Sequence, residues 1–272
     1  MRYFLLILFI LTINSSPQAS PEHQPVGART ISLGGVSLLP ADFWSVFNNQ
    51  AGIATQTNWG IGFAYDSYLG LDKNLSLKSG ALLIPTNSGT FGLSMNYYGY
   101  SAYHQDKIGL AYGKSLGKIF HVGLQLDYLA LSIGDGYGKD HALTFEIGIL
   151  AILSDKLQIA SHIYNPFLVK LGKLNPEIQP ALLKFATSYQ IDETLLLLAE
   201  YEQNIQGHGI LKFGMEYQLI KQIQVRLGLS TNPNLFSFGF GLHLNAFQLD
   251  FGTSYHQILG FSPKVSLYYK IK

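Results

Sequence analysis

The stretch LFSFGFGLHLNAFQLDFGTSYH, Leu235 to His256, repeats with a period of two residues. Phe236, Phe238, Phe240, Leu242 and Leu244 fall on one side, against Ser237, Gly239, Gly241 and His243. Past Asn245–Ala246 the rhythm resumes. Phe247, Leu249, Phe251 and Tyr255 alternate with Gln248, Asp250, Gly252, Ser254 and His256. Successive side chains of a strand point to opposite faces, so this is a pair of strands with one apolar and one small or polar face. A soluble sandwich would carry denser charge on its second face.

The same pattern begins at Asn58 with WGIGFAY, where Trp59, Ile61, Phe63 and Tyr65 oppose Gly60, Gly62 and Ala64. It yields fourteen segments, from 58–68 to 263–271, the weakest being 181–190 and 194–202, where LLLLAEYE is nearly continuous. Their lengths suit membrane strands of about 9–11 residues. Connections alternate between tight turns (PTNSG, LGK, SDK, DE, IK, LN) and mostly longer loops such as DSYLGLDKN, GYSAYHQ, QILGFS and NPFLVKLGKLNPEIQP, with STNPN the exception. Tyr65, Tyr97, Tyr128, Tyr189, Tyr201, Tyr217, Tyr255 and Tyr269 sit near strand ends, as rings do at a lipid–water boundary. The opposite face mixes small residues with Lys78, Asn96, Gln125, Asp127, Glu146, His162, Lys184, Glu200, Lys212, Glu216, Arg226 and Asp250. An open edge is not viable in lipid, so the sheet must close. The expected fold is all-β: a transmembrane antiparallel β-barrel of fourteen strands, with both chain ends on the periplasmic side.

Composition agrees. Charged residues make up 13% of the 272, the net charge is +1, and there is no cysteine. No basic run or basic–aromatic ladder points to nucleic acid. Thiolate zinc sites and a cysteine nucleophile are excluded. The N-terminus reads as an export leader over residues 1–20, with Arg2 before the apolar run Tyr3–Ile13. Residues 58–272 are then the barrel, and 21–57 remain to be placed.

That remainder holds Phe43, Trp44 and Phe47, which call for burial. A barrel this wide leaves a lumen unless something fills it. Residues 21–57 are therefore expected to form a hatch inside it, entering from the periplasmic side. Pro40 can open a short helix and Asp42 favours its first turn, with an end at Asn48–Asn49 and Gly52 following. Gly34–Gly35 permits a bend or close approach. Expected hatch contacts are Arg29, Gly34, Gly35, Asp42, Phe43, Trp44, Phe47 and Asn49, against the wall residues Glu146, Glu216, Arg226 and Asp250. Glu216 and Arg226 are expected to pair on neighbouring strands, Lys212 to meet a carboxylate such as Asp250, and Arg29 to meet Glu146, Glu216 or Asp250.

No catalytic constellation emerges. Ser161 and His162 are adjacent in a strand and face opposite ways, and Ser254 with His256 is a pairing that strands produce by chance. The eight histidines lack metal-ligand spacing, and His23, His104 and His208 read as solvent-exposed. No enzyme activity, cofactor or metal is expected.

Ala28-Arg29-Thr30-Ile31-Ser32-Leu33-Gly34-Gly35-Val36, Asp42 and Asn49-Gln50-Ala51-Gly52-Ile53 resemble the N-terminal signature of PorV/PorQ-like outer-membrane proteins of Bacteroidetes, within the FadL-like barrel group. Gln50 stands where that signature has Pro, and Val36 where it has Ala. Gly214 to Ile271 is similar to the group's last five strands, including Glu216, Arg226, Gly228, Gly239 and Asp250. The resemblance implies a barrel with an N-terminal hatch that binds or passes small hydrophobic compounds across the bacterial outer membrane. The alternative it carries is an accessory or cargo-handling part of type IX protein secretion. Partners implied are outer-membrane lipid, a hydrophobic small molecule or secretion-system proteins.

Overall fold

The computed structural model describes residues 24–67, 75–134, 138–172 and 176–271. The predicted leader lies outside these, as does His23. The N-terminal segment carries α1 (Ala28–Ser32), α2 (Ser45–Asn48) and a 3-10 helix (Gln50–Thr55). The strands that follow are β1 (Trp59–Ser67), β2 (Ser76–Thr86), β3 (Gly89–Tyr100), β4 (Tyr103–Leu116), β5 (Phe120–Ile133), β6 (Gly138–Ile152) and β7 (Leu157–Tyr164). A small hairpin comes next, β8 (Lys170–Leu171) and β9 (Glu177–Ile178). The chain ends with β10 (Leu182–Gln190), β11 (Leu195–Asn204), β12 (Gly209–Ile220), β13 (Ile223–Ser230), β14 (Leu235–Leu244), β15 (Phe247–His256) and β16 (Gly260–Ile271).

Every strand except β8 and β9 joins one closed antiparallel barrel of fourteen, in which β7 neighbours β10 and β16 returns to β1. Trp59 lies opposite Ile271, so the barrel begins and ends at the same rim. The turns expected to be tight share that rim, but on the other rim β3 and β4 are joined by only Ser101–Ala102 and β15 and β16 by residues 257–259, where longer loops were expected.

The wall is uneven. Strands β4, β5 and β6 run 14, 14 and 15 residues, whereas β7 has only 8. β6 pairs with β7 only from Glu146, opposite Tyr164, onward. Residues 138–145 therefore bond to β5 on one side, and on the other meet the 165–172 loop rather than a strand of the wall. Asn165, fully buried with φ +48°, closes this seam. Its Oδ1 accepts from Thr144 Oγ1 at 2.8 Å and Val169 N at 3.2 Å, and its Nδ2 donates to the carbonyls of Gln179 and Pro180. The sequence shows only a plain loop over 165–180, because the hairpin within it is too short to show a period.

Outward faces are apolar, and the boundary tyrosines Tyr65, Tyr128, Tyr189, Tyr201, Tyr217, Tyr255 and Tyr269 are exposed on them. Lys78 corrects the reading of the inner face. It is exposed on the outside of β2, with its ammonium 5.3 Å from the Tyr97 ring centre. Near a membrane boundary a lysine lays its stem along apolar surface and keeps its head in water. His104 is likewise not free in solvent, because its ring stacks on Tyr97 at 5.1 Å.

The N-terminal segment supplies the core that the strands lack. Trp44 is 1% exposed. With Val26, Phe43, Val46, Phe47 and Ile53 it packs on Ala64, Leu77, Ala81, Leu83, Tyr98 and Ala111 of the wall. Leu33, Val36, Leu38, Leu39 and Ala51 meet Leu150, Ala160, Ala186 and Leu198. The expected helix from Asp42 to Asn49 shrinks to the single turn Ser45–Asn48. Asp42 Oδ1 accepts from Trp44 N, and Ser45 Oγ accepts from Asp42 N, so a local turn precedes it instead of helix. Neither α1 nor the 3-10 helix was foreseen, since such short pieces hold their shape only against other structure.

Candidate functional site

The site is the interface between the N-terminal segment and the inner wall. Its floor explains the small residues of the inward face. A Cβ on Gly228 would overlap Gly34 N, one on Gly239 would overlap Ser32 Oγ, and one on Gly148 would overlap Asn49 Oδ1. A Cβ on Gly34, whose φ is +74°, would lie 2.6 Å from Leu229 O. Gly34 and Gly228 let two backbones touch, and Gly148 and Gly239 leave room for the Asn49 and Ser32 side chains. Gly35 also has positive φ, 80°, but a Cβ there would make only ordinary contacts with the side chains of Lys212, at 3.7 Å, and Pro25, at 4.0 Å.

Three charged clusters line the interface. In the first, Arg29 of α1 donates to Glu216 of β12 at 2.7 and 2.8 Å and to Asp42 at 3.1 Å. Glu216 also accepts from Arg226 at 2.6 Å, and Arg226 reaches Asp250 at 2.6 Å. Both expected partnerships, Glu216 with Arg226 and Arg29 with a wall carboxylate, are present. Burial disfavours the Arg29 charge, but Glu216 and Asp42 outweigh it and raise its pKa above the ordinary value.

The second cluster centres on Glu146, 1% exposed. It accepts from Lys107, from Gln50 at 2.8 Å, from Gln125 at 3.2 Å, and faces His162 Nε2 at 2.9 Å. Gln50 Oε1 lies 3.1 Å from the same His162 nitrogen. Gln50 thus ties the segment to the wall at the position where the resembled signature has Pro. Asn49 meets this wall through Gly148 and caps the 3-10 helix, accepting from Ala51 N at 3.3 Å.

The third cluster was not assembled from sequence. Glu200 of β11 accepts from Ser37 N and Leu38 N at 2.7 and 2.9 Å. Lys212 bonds to Glu200 and Glu202 at 2.9 and 2.7 Å, not to Asp250, which Arg226 occupies. Lys184 joins Glu202 at 3.0 Å. Lys107, Glu202, Asp66 and Lys264 went unremarked in the sequence; strand alternation places each on the inward face. Phe43 and Trp44 enter through packing alone, Phe43 stacked on Tyr268 at 4.4 Å and edge-on to Trp44 at 5.1 Å.

Little space remains. A pocket of about 30 Å³ lies between Val26, Phe47 and Asn48 of the segment and Lys107, His162 and Lys184 of the wall, room for about one water or two. At the tight-turn rim a cleft of about 500 Å³ opens between Arg29, Pro40, Ala41, Thr194 and Glu216. Among the described residues no cluster of His, Asp and Glu has the arrangement of a metal site.

No sequence-family model matches the chain. No curated protein matches it either. Solved structures do. The CymD monoaromatic hydrocarbon channel superposes with a TM-score of 0.69 at 12% identity, over 91% of this chain and 98% of its own. The Ralstonia pickettii toluene transporter TbuX gives 0.67 at 11%, over 92% and 99%. A Pseudomonas aeruginosa FadL homologue gives 0.62 at 14%, over 90% and 97%. The chain has the fold of the FadL-like channels. At these identities the likeness concerns the FadL-like fold, and the resemblance in the sequence to PorV/PorQ-like proteins is a separate matter.

Proposed function

We propose that this protein is a FadL-like channel of a bacterial outer membrane that passes small hydrophobic compounds, with residues 21–57 as its hatch and residues 1–20 as a cleaved leader. The observation that carries the reading is a closed barrel whose lumen is filled by its own N-terminal segment. A general diffusion pore needs an open lumen, whereas a gated carrier needs a filled one. The fold, shared with proteins described as hydrocarbon channels and a toluene transporter, supports the same reading.

In this reading Arg29, Asp42, Glu216, Arg226 and Asp250 hold one flank of the hatch, and Asn49, Gln50 and Glu146 the other. The aromatic residues between them close the lumen. A compound would pass on displacement of the hatch, or sideways through the seam beside β6. The accessory role in type IX secretion and a PorV/PorQ-like kinship rest on the sequence resemblance alone, and no contact in the barrel favours them. The test is deletion of the gene, with uptake of a labelled monoaromatic hydrocarbon and release of secreted proteins measured side by side. Slowed uptake with normal release is expected. Normal uptake with cargo held in the periplasm would overturn the reading.

A further inference from the structure

The outside of the barrel is not uniformly apolar. The cross-strand register runs Tyr65–Lys78–Tyr97–Asp106 across β1 to β4 and on through Ala130 to His141 of β6. The neighbouring register toward the loop rim pairs His104 with Ser132 and Ser132 with Lys139. One step toward the tight-turn rim the outward residues are apolar again: Phe63, Met95, Ile108, Tyr128 and Leu143, all exposed. Near the loop ends of β12 to β16 the outward residues are Leu211, Leu229, Phe236, Tyr255 and Phe261. Of these two stretches of the loop rim, only the one on β2 to β6 carries outward charge, and there β4 to β6 run 14 or 15 residues, more than lipid requires.

The patch is ordered by rings. The Lys78 ammonium lies 5.3 Å from the Tyr97 centre, Tyr97 stacks on His104 at 5.1 Å, and Tyr128 stacks on His141 at 5.9 Å. Asp106 faces His104 at 3.6 Å, and among the described residues no carboxylate lies within ion-pair reach of Lys78 or Lys139. Two ammoniums without anionic partners among the described residues, held beside rings and small residues at the edge of an apolar belt, complement an anion that itself lies at the membrane boundary. We infer that this face of β2 to β6 binds the phosphorylated headgroup of an outer-leaflet glycolipid. The phosphates meet Lys78 and Lys139, and the rings and Ser132 meet the sugar. Each lysine near such a surface contributes on its own, so their effects should add.

The full chain, placed in nanodiscs of phosphatidylcholine doped with bis-phosphorylated lipid A, tests this by native mass spectrometry of retained lipid. The wild type should keep lipid A, and K78A/K139A should keep about thirtyfold less, the loss expected for two surface ammoniums. K78R/K139R should retain it. Both lysines point outward, and heat-modifiable migration on a gel checks that each variant is folded. Equal retention by the alanine variant would overturn the inference. So would equal retention of dephosphorylated lipid A by the wild type, a comparison that needs no variant.

Discussion

Arg29 and Glu216 meet through two parallel hydrogen bonds, Nε to Oε2 at 2.8 Å and Nη2 to Oε1 at 2.7 Å, with side chains 13% and 8% exposed. The pair joins residues far apart in sequence, one on the N-terminal segment and one on the wall. Fork-to-fork geometry of this kind fixes orientation as well as distance. Removing one member of a buried pair strands the other, which costs about 3–5 kcal/mol. Arg29→Met should therefore lower unfolding stability by about 3 kcal/mol. The loss should stay at the low end because Arg226 still serves Glu216. Urea unfolding in lipid vesicles measures it, and a cycle with Glu216→Gln should show strong coupling.

Gly228 and Gly34 bring two backbones into contact without side chains between them. Gly228→Val should leave the barrel intact and push the segment off β13. Heat-modifiable migration should persist, while limited proteolysis should begin to cut near residues 27–39. Protection equal to the wild type would mean that the contact is not what seats the segment.

Trp44 is buried among Phe43, Phe47 and Gly27, with its ring 6.2 Å from that of Phe47. Trp44→Ala should cost about 3–5 kcal/mol, the usual loss for a large buried ring. Trp44→Phe should recover most of it. The same unfolding assay reads both.

Asn165 ties β6 to both arms of the 165–181 loop. Asn165→Ala removes these bonds and places alanine at a positive φ that asparagine tolerates better. Hydrogen exchange should quicken in residues 138–145 and 176–181 and stay unchanged at the tight-turn rim. Uniform protection would show that the seam is held by other contacts.

Much of the fold was legible because the barrel's physics is periodic. In FSFGFGLHL the alternation of Phe with Ser and Gly reports both faces directly, and β14 follows it. Lys78 was misplaced because Ala81 to Ile84 are all apolar, which blurs the phase of β2, and chemistry alone then suggested the lumen. The pairing of Glu216 with Arg226 was readable from strand register. That Lys212 would choose Glu200 and Glu202 was not, since a barrel offers several inward carboxylates within reach. The hatch expectation rested on unmet burial of Phe43, Trp44 and Phe47. Its internal shape depends on wall contacts such as Asn49 with Gly148, which leave no local pattern.

Single-channel conductance of the full protein and of a variant lacking residues 27–54, both reconstituted in planar bilayers, tests the account most directly. The full protein should stay closed to ions, and the shortened barrel, still heat-modifiable, should give large steady channels. A shortened barrel that stays shut would show that the wall or its loops close the lumen and that the segment is not the plug.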